Sequence, residues 1–144
     1  MALVSCAAGA MCCGSTDVLA GATGDKPASL DAGALTDFAK DGTTDTWARS
    51  HGVFVIRADD QVYAVSSTCT HKNKALKLKD GQIYCPAHGS LFSEHGTAIK
   101  GPAKSSLERY AIKTDANGHV VVDLTKSFSE KQWEDPASFI ALKK

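Results

Sequence analysis

Two pairs of metal-capable side chains at short spacing, Cys69 with His71 and Cys85 with His88, constrain this chain more than anything else in it. Thirteen residues separate His71 from Cys85, room for a strand out, a turn at Asp80-Gly81 and a strand back. Two loops would then each present one thiolate and one imidazole to a common site. Two chemistries fit that set. One zinc takes all four groups in a closed tetrahedron, or a [2Fe-2S] cluster takes the sulfurs on one iron and the ring nitrogens on the other. Zinc sites usually pair like with like, whereas C-x-H and C-x-x-H offer one sulfur and one nitrogen per loop, which suits two neighbouring irons.

The flanking residues add a resemblance. Cys85-Pro86-Ala87-His88-Gly89-Ser90 resembles the second cluster loop of Rieske proteins, and Cys69-Thr70-His71 resembles the first. Gly101-Pro102-Ala103 is similar to the proline loop that covers the cluster in Rieske proteins of cytochrome bc complexes, and Leu107 to Tyr110 continues that run. The likeness spans about residues 45 to 125. It implies one [2Fe-2S] cluster per chain, with Cys69 and Cys85 on an inner iron and His71 and His88 on an outer iron near the surface. Gly89 would give the backbone room beside the cluster, Pro102 would cover it, and Ser90 would donate to a bridging sulfide. Because neutral imidazoles replace two charged thiolates, such centres run from roughly −150 to +300 mV, against about −400 mV for plant-type ferredoxins.

Departures from the bc-type pattern bear on the role. The two extra cysteines that bridge the loops there are Lys74 and Ala87 here. The tyrosine two positions after the serine is Phe92, and the leucine beside the quinol pocket is Lys72. With one of two hydrogen-bond donors kept, the expected potential is intermediate, and a polar tip suits a redox-protein partner better than a quinol. Lys72, Lys74, Lys77 and Lys79 form a basic patch that either steers an acidic partner or is a solvated strand face.

Outside the ligand loops the periodicity is that of strands. Val53 to Ala58 and Gln61 to Ser66 are β-branched and aromatic runs joined at Asp59-Asp60, a two-residue hairpin signal. Residues 75–79 and 82–84 alternate around Asp80-Gly81, and Thr97 to Ile99, Leu107 to Thr114 and His119 to Leu124 follow, the last two joined at Asn117-Gly118. The expected fold is all-β, a Rieske-type antiparallel β-sandwich with a small cluster-binding subdomain formed by the two loops. Asp135-Pro136 signals a helix of one or two turns with Lys143 and Lys144 at its end. His51, His95 and His119 pair with nothing at ligand spacing, and Trp47 and Trp133 read as packing residues.

These segments divide the chain into a signal-like or anchor-like stretch at 1–22, a linker with one loosely packed turn or strand at 23–44, a domain at 45–125 and a C-terminal extension at 126–144 packed on it. Residues 1–22 are apolar and close on Ala20-Gly21-Ala22, as an export signal would, although the basic start of such a signal is missing from the sequence as given. A periplasmic or exported protein, with membrane association through this stretch, is therefore expected, with a cytoplasmic one as the alternative. Sixteen basic and sixteen acidic residues leave no net charge to draw the chain to nucleic acid. The resemblance implies one-electron transfer as the function, and no catalytic constellation is visible beside it. The protein would be freestanding or the small subunit of a respiratory or molybdenum-type oxidoreductase or a quinol–cytochrome c type complex. The alternatives are the ferredoxin component of a ring-hydroxylating dioxygenase and a zinc-stabilised binding module.

Overall fold

Hairpin chemistry sets the centre of the molecule. In the computed structural model, which describes residues 27–143, strands β3 (Val53–Ala58) and β4 (Gln61–Ser66) pair antiparallel around Asp59 and Asp60. Both turn residues adopt left-handed φ, 53° and 58°, the geometry that matches the twist of a two-residue hairpin. Side chains alternate across both strands: Phe54, Ile56, Tyr63 and Val65 point to one core, Val53, Val55, Val62 and Ala64 to the other. A strand buried on both faces reads as a continuous apolar run, which is why this hairpin stands out in the sequence.

The remaining strands are β1 (Ser29–Ala34), β2 (Gly42–Thr44), β5 (Lys77–Lys79), β6 (Gln82–Tyr84), β7 (Leu91–Phe92), β8 (Ala98–Lys100), β9 (Arg109–Thr114), β10 (His119–Phe128) and β11 (Ile140–Ala141). They form a seven-stranded sheet in the order β1-β10-β9-β4-β3-β2, with β11 added alongside β4, and a four-stranded sheet in the order β5-β6-β7-β8. All pairings are antiparallel and no α-helix occurs among the described residues, so the fold is all-β, as expected. The small sheet and its loops are the expected subdomain. Its core, with Leu76, Ile83, Phe92 and Leu107, is continuous with Phe54, Ile56, Tyr63 and Val65 of the large sheet. Each such side chain, fully buried, contributes roughly 1.5–3 kcal/mol of transfer free energy.

Two expectations need correction. Residues 23–44 are more than linker: β1 pairs with β10 from Ser29 to Ala34, and β2 pairs with β3. The signal was faint because β1, Ser-Leu-Asp-Ala-Gly-Ala, buries only Leu30 and Ala32 and its partner lies about ninety residues away. At the other end, Asp135 does cap a turn, its carboxylate accepting from the Ala137 N–H at 2.9 Å with Pro136 next. That turn is a single 3-10 turn over Pro136–Ser138, after which the chain extends into β11 against Val62 and Gln61. Lys143 therefore follows a short strand, not a helix. Residues 1–22, and Lys144, lie outside the described residues.

Candidate metal centre

The β4 strand delivers the chain to Cys69, and the β5–β6 hairpin, turned by Asp80 and Gly81 at φ 51° and 78°, carries it from the first ligand loop to Cys85. The two loops then repeat one backbone device. Cys69 N–H donates to Lys74 O at 2.8 Å and Asn73 N–H to Cys69 O at 2.9 Å; Cys85 N–H donates to Ser90 O at 2.8 Å and Gly89 N–H to Cys85 O at 2.9 Å. In both loops the fourth residue after the cysteine is left-handed, Asn73 at φ 52° and Gly89 at φ 74°. Asn and Gly tolerate that region best, so the loops share a conformation despite unlike sequences.

That conformation sorts the four ligand candidates by depth. Cys69 and Cys85 are fully buried and carry free thiols, whereas His71 and His88 are exposed. The two imidazoles lie side by side, ring centroids 5.0 Å apart and nearly perpendicular. The two loops thus offer sulfur donors at depth and nitrogen donors at the surface. Two buried thiols and two adjacent imidazoles, one of each per loop, fit a [2Fe-2S] group, which imidazoles and thiolates ligate in pairs.

Ser90 is fully buried, and its Oγ accepts from the Ala103 N–H at 3.2 Å. Among the described residues its own hydroxyl proton has no acceptor, so it remains available to a group held between the loops. Pro102 is exposed within the loop that follows β8. At Gly89 a Cβ meets nothing of the protein within 4 Å, and the backbone holds a positive φ of 74°. The crowded glycine is Gly101. At φ 103°, an added Cβ would stand 2.6 Å from Ser90 Cα and 3.0 Å from Ser90 N.

Other parts of the site escaped the sequence reading. Thr70 donates from its hydroxyl to Ser105 O at 2.7 Å, tying the first loop to the proline loop, while Ala103 ties the proline loop to the second. The three loops are thus clasped where Lys74 and Ala87 cannot form a disulfide. At the start of β9 the Arg109 guanidinium lies between Tyr63 and Trp133, 3.9 and 4.2 Å from the ring centroids. Burial pushes the Tyr63 phenol up to about 12, and its hydroxyl bonds His95 Nδ1 at 2.6 Å. Trp133 is thus a stacking partner as well as a packing residue. His95 joins the large sheet to the β7–β8 connection, and His119 pairs with Asp31 at 3.0 Å. No local motif marks such links, because each joins residues far apart in the chain.

The sequence profile described as the Rieske [2Fe-2S] domain matches residues 28–111. The iron-sulfur subunit of the cytochrome b6-f complex of Chlorobaculum tepidum is 31% identical over 74 residues, covering 50% of this chain and 40% of the relative. Subunit 2 of the same kind from Synechocystis sp. is 30% identical over 78 residues, covering 51% and 43%. The chain thus spans less than half the length of these relatives. Among solved structures, a chain of the complex of reduced oxygenase and oxidized ferredoxin in carbazole 1,9a-dioxygenase superposes with a TM-score of 0.51 at 24% identity, covering 73% of this chain and 100% of that one. A plasma membrane Rieske protein from Synechocystis gives a TM-score of 0.48 at 29% identity over 65% of this chain and 97% of that one. With the profile covering more than half of the sequence, the chain belongs to the Rieske [2Fe-2S] domain family and binds a [2Fe-2S] cluster.

Proposed function

We propose that this protein is a one-electron carrier in which Cys69 and Cys85 hold the inner iron and His71 and His88 the outer one. The observation that carries the reading is the depth order of these four side chains, thiols fully buried and paired imidazoles at the surface. When bound, the cluster supplies a site that takes up and gives back one electron. The chain's residues do the rest. The thiols are sealed from water by Leu76, Ile83, Phe92 and Leu107, the imidazoles form the exit to a partner, and Ser90 donates to a cluster sulfur. Its donation favours the reduced, more negative state and raises the potential. Phe92, fully buried, offers no such donor, which supports a potential below that of bc-type centres.

A redox protein is the expected partner, and the chain would act either freestanding or as the small subunit of a respiratory or molybdenum-type oxidoreductase. The b6-f relatives support electron exchange with cytochromes; Lys72 in place of the leucine beside the quinol pocket argues against direct quinol oxidation. Export rests on residues 1–22 alone. Among the described residues no helix is long and apolar enough to cross a membrane. One observation favours the second reading, the ferredoxin component of a ring-hydroxylating dioxygenase. The loops are clasped by Thr70 and Ser90 hydrogen bonds with no disulfide between them. Iron and acid-labile sulfide analysis of the purified protein tests the common core of both readings. Equal iron and sulfide, two of each per chain, is expected, and stoichiometric zinc in a colourless protein would overturn it.

A further inference from the structure

Charge in this molecule is segregated between its two ends. Residues 66–107, which bear the ligand loops, the small sheet and the proline loop, carry six lysines against Asp80 and Glu94, a net charge of +4. The rest of the described chain, residues 27–65 and 108–143, carries eight basic and twelve acidic residues, a net charge of −4. A protein with no net charge is thus a dipole whose positive end holds the cluster site. Two cysteine thiolates cancel the charge of an oxidised [2Fe-2S] core, so loading the site leaves the lobe positive.

The six lysines, Lys72, Lys74, Lys77, Lys79, Lys100 and Lys104, are all exposed. None has a carboxylate partner among the described residues, whereas in the other lobe Arg57 pairs with Asp41 and His119 with Asp31. Lysines commonly protect sheet edges from pairing with other chains, and that accounts for Lys77 and Lys79 on β5 and Lys100 on β8. It does not account for Lys72 and Lys74, which share the first ligand loop with His71. Nor does it account for Lys104, which lies between Ala103, bonded to Ser90, and Ser105, bonded to Thr70. These three are in loops, Lys72 and Lys74 in that of His71 and Lys104 in the proline loop that hydrogen bonds tie to both ligand loops. The one exposed large hydrophobic residue among those described, Ile99, lies on edge strand β8 two positions before Gly101, which presses on Ser90. An apolar anchor within a charged rim is the anatomy of a protein interface.

We infer that the His71–His88 face, with Ile99 as its apolar contact and Lys72, Lys74 and Lys104 as its rim, docks a redox protein whose own electron port is ringed by carboxylates. The inference rests on the electron-carrier reading and names the partner's surface chemistry. Positive potential at the exit and negative potential at the far end orient an approaching anionic partner toward the imidazoles, so encounter and electron exit use one face. One electron passes from the reduced cluster to the partner's oxidised centre, and no bond is made or broken.

The test compares the full-length iron-loaded protein with its K72E/K74E/K104E variant, using two one-electron oxidants of opposite charge, ferricyanide and tris-phenanthroline cobalt(III). At about 10 mM ionic strength, where charges act over tens of ångströms, the variant should react with ferricyanide about 10-fold more slowly and with the cobalt complex correspondingly faster. The two rates should converge with the wild type's near 0.5 M salt. Independently of redox turnover, calorimetric titration with hexaglutamate should show binding to the wild type that salt abolishes and the variant lacks. I99S should weaken salt-sensitive capture of an acidic plant-type ferredoxin by the iron-loaded protein. Unchanged rates and unchanged hexaglutamate binding in the triple variant would overturn the inference. So would salt-sensitive binding to phosphatidylglycerol vesicles with no charge discrimination between oxidants, since the patch would then serve a lipid surface. If the electron-carrier reading itself were wrong, the wild type would lack iron and sulfide before any rate was measured.

Discussion

The two lobes of this protein are held together by different means. The large sheet is built from strands of up to ten residues with both faces of β3 and β4 buried, and its stability is spread over many apolar side chains. The cluster lobe has strands of two or three residues, and its shape depends on a few backbone conformations and hydrogen bonds. Losing one side chain from the first should cost stability without touching redox behaviour. Losing one contact from the second should change the cluster.

The strongest contrast comes from Phe38→Ala and Gly101→Ala. Phe38 packs with Leu30, Val53 and Val122 on the face away from the ligands, and truncation should cost about 3–5 kcal/mol in denaturant melts with the reduction potential unchanged. Gly101→Ala should cost about 2 kcal/mol or more, from its left-handed backbone and the collision with Ser90, and should also empty the site of iron. Equal iron content in the two variants would erase the distinction. Ser90→Ala comes next. Removing the acceptor of the buried Ala103 N–H should cost about 1–3 kcal/mol, and protein-film voltammetry should find a lower potential. An unshifted potential would remove Ser90 from any role toward the cluster.

Gly89→Ala sharpens the comparison within the lobe. An added Cβ meets no protein atom there, so only the left-handed φ is penalised, by about 1–2 kcal/mol. If iron binding also collapses, the missing space is that of the cluster itself.

The smallest effect belongs to the large sheet's edge, where His119 Nδ1 approaches Asp31. The pair raises the histidine pKa and lowers that of the aspartate. A raised histidine contributes stability at low pH that is lost as pH rises through its folded pKa; a lowered aspartate contributes stability at higher pH that is lost as pH falls through its own. The pair therefore matters most between the ordinary aspartate and histidine values, about pH 4 to 6.5. His119→Ala should show a small deficit in thermal midpoint near pH 5 that fades as pH rises through the histidine's folded pKa. A deficit independent of pH would assign the loss to packing.

What was legible in the sequence follows from these differences. The hairpins at Asp59-Asp60 and Asp80-Gly81 announced themselves because a two-residue turn and its alternating flanks are adjacent in the chain. The ligand pairs were legible for the same reason. β1 was hidden because it is short, built from small residues and recognisable only by its distant partner β10. The Thr70–Ser105 clasp and the Tyr63–Arg109–Trp133 stack were invisible on the same ground. Gly101 is the instructive case. It belongs to the proline loop by sequence, but only the folded chain reveals how tightly its backbone presses on Ser90. Its two functions, left-handed backbone and closest approach to Ser90, have no sequence signature beyond the residue itself.

Electron paramagnetic resonance of the dithionite-reduced protein measures most directly how the four ligand side chains divide between two irons. Buried Cys69 and Cys85 beneath exposed His71 and His88 predict a rhombic signal with an average g value below that of the free electron. Pulsed measurement should resolve couplings to two imidazole nitrogens that disappear one at a time in H71C and H88C variants. A spectrum without nitrogen coupling, as from a cluster held by thiolates alone, would contradict that division.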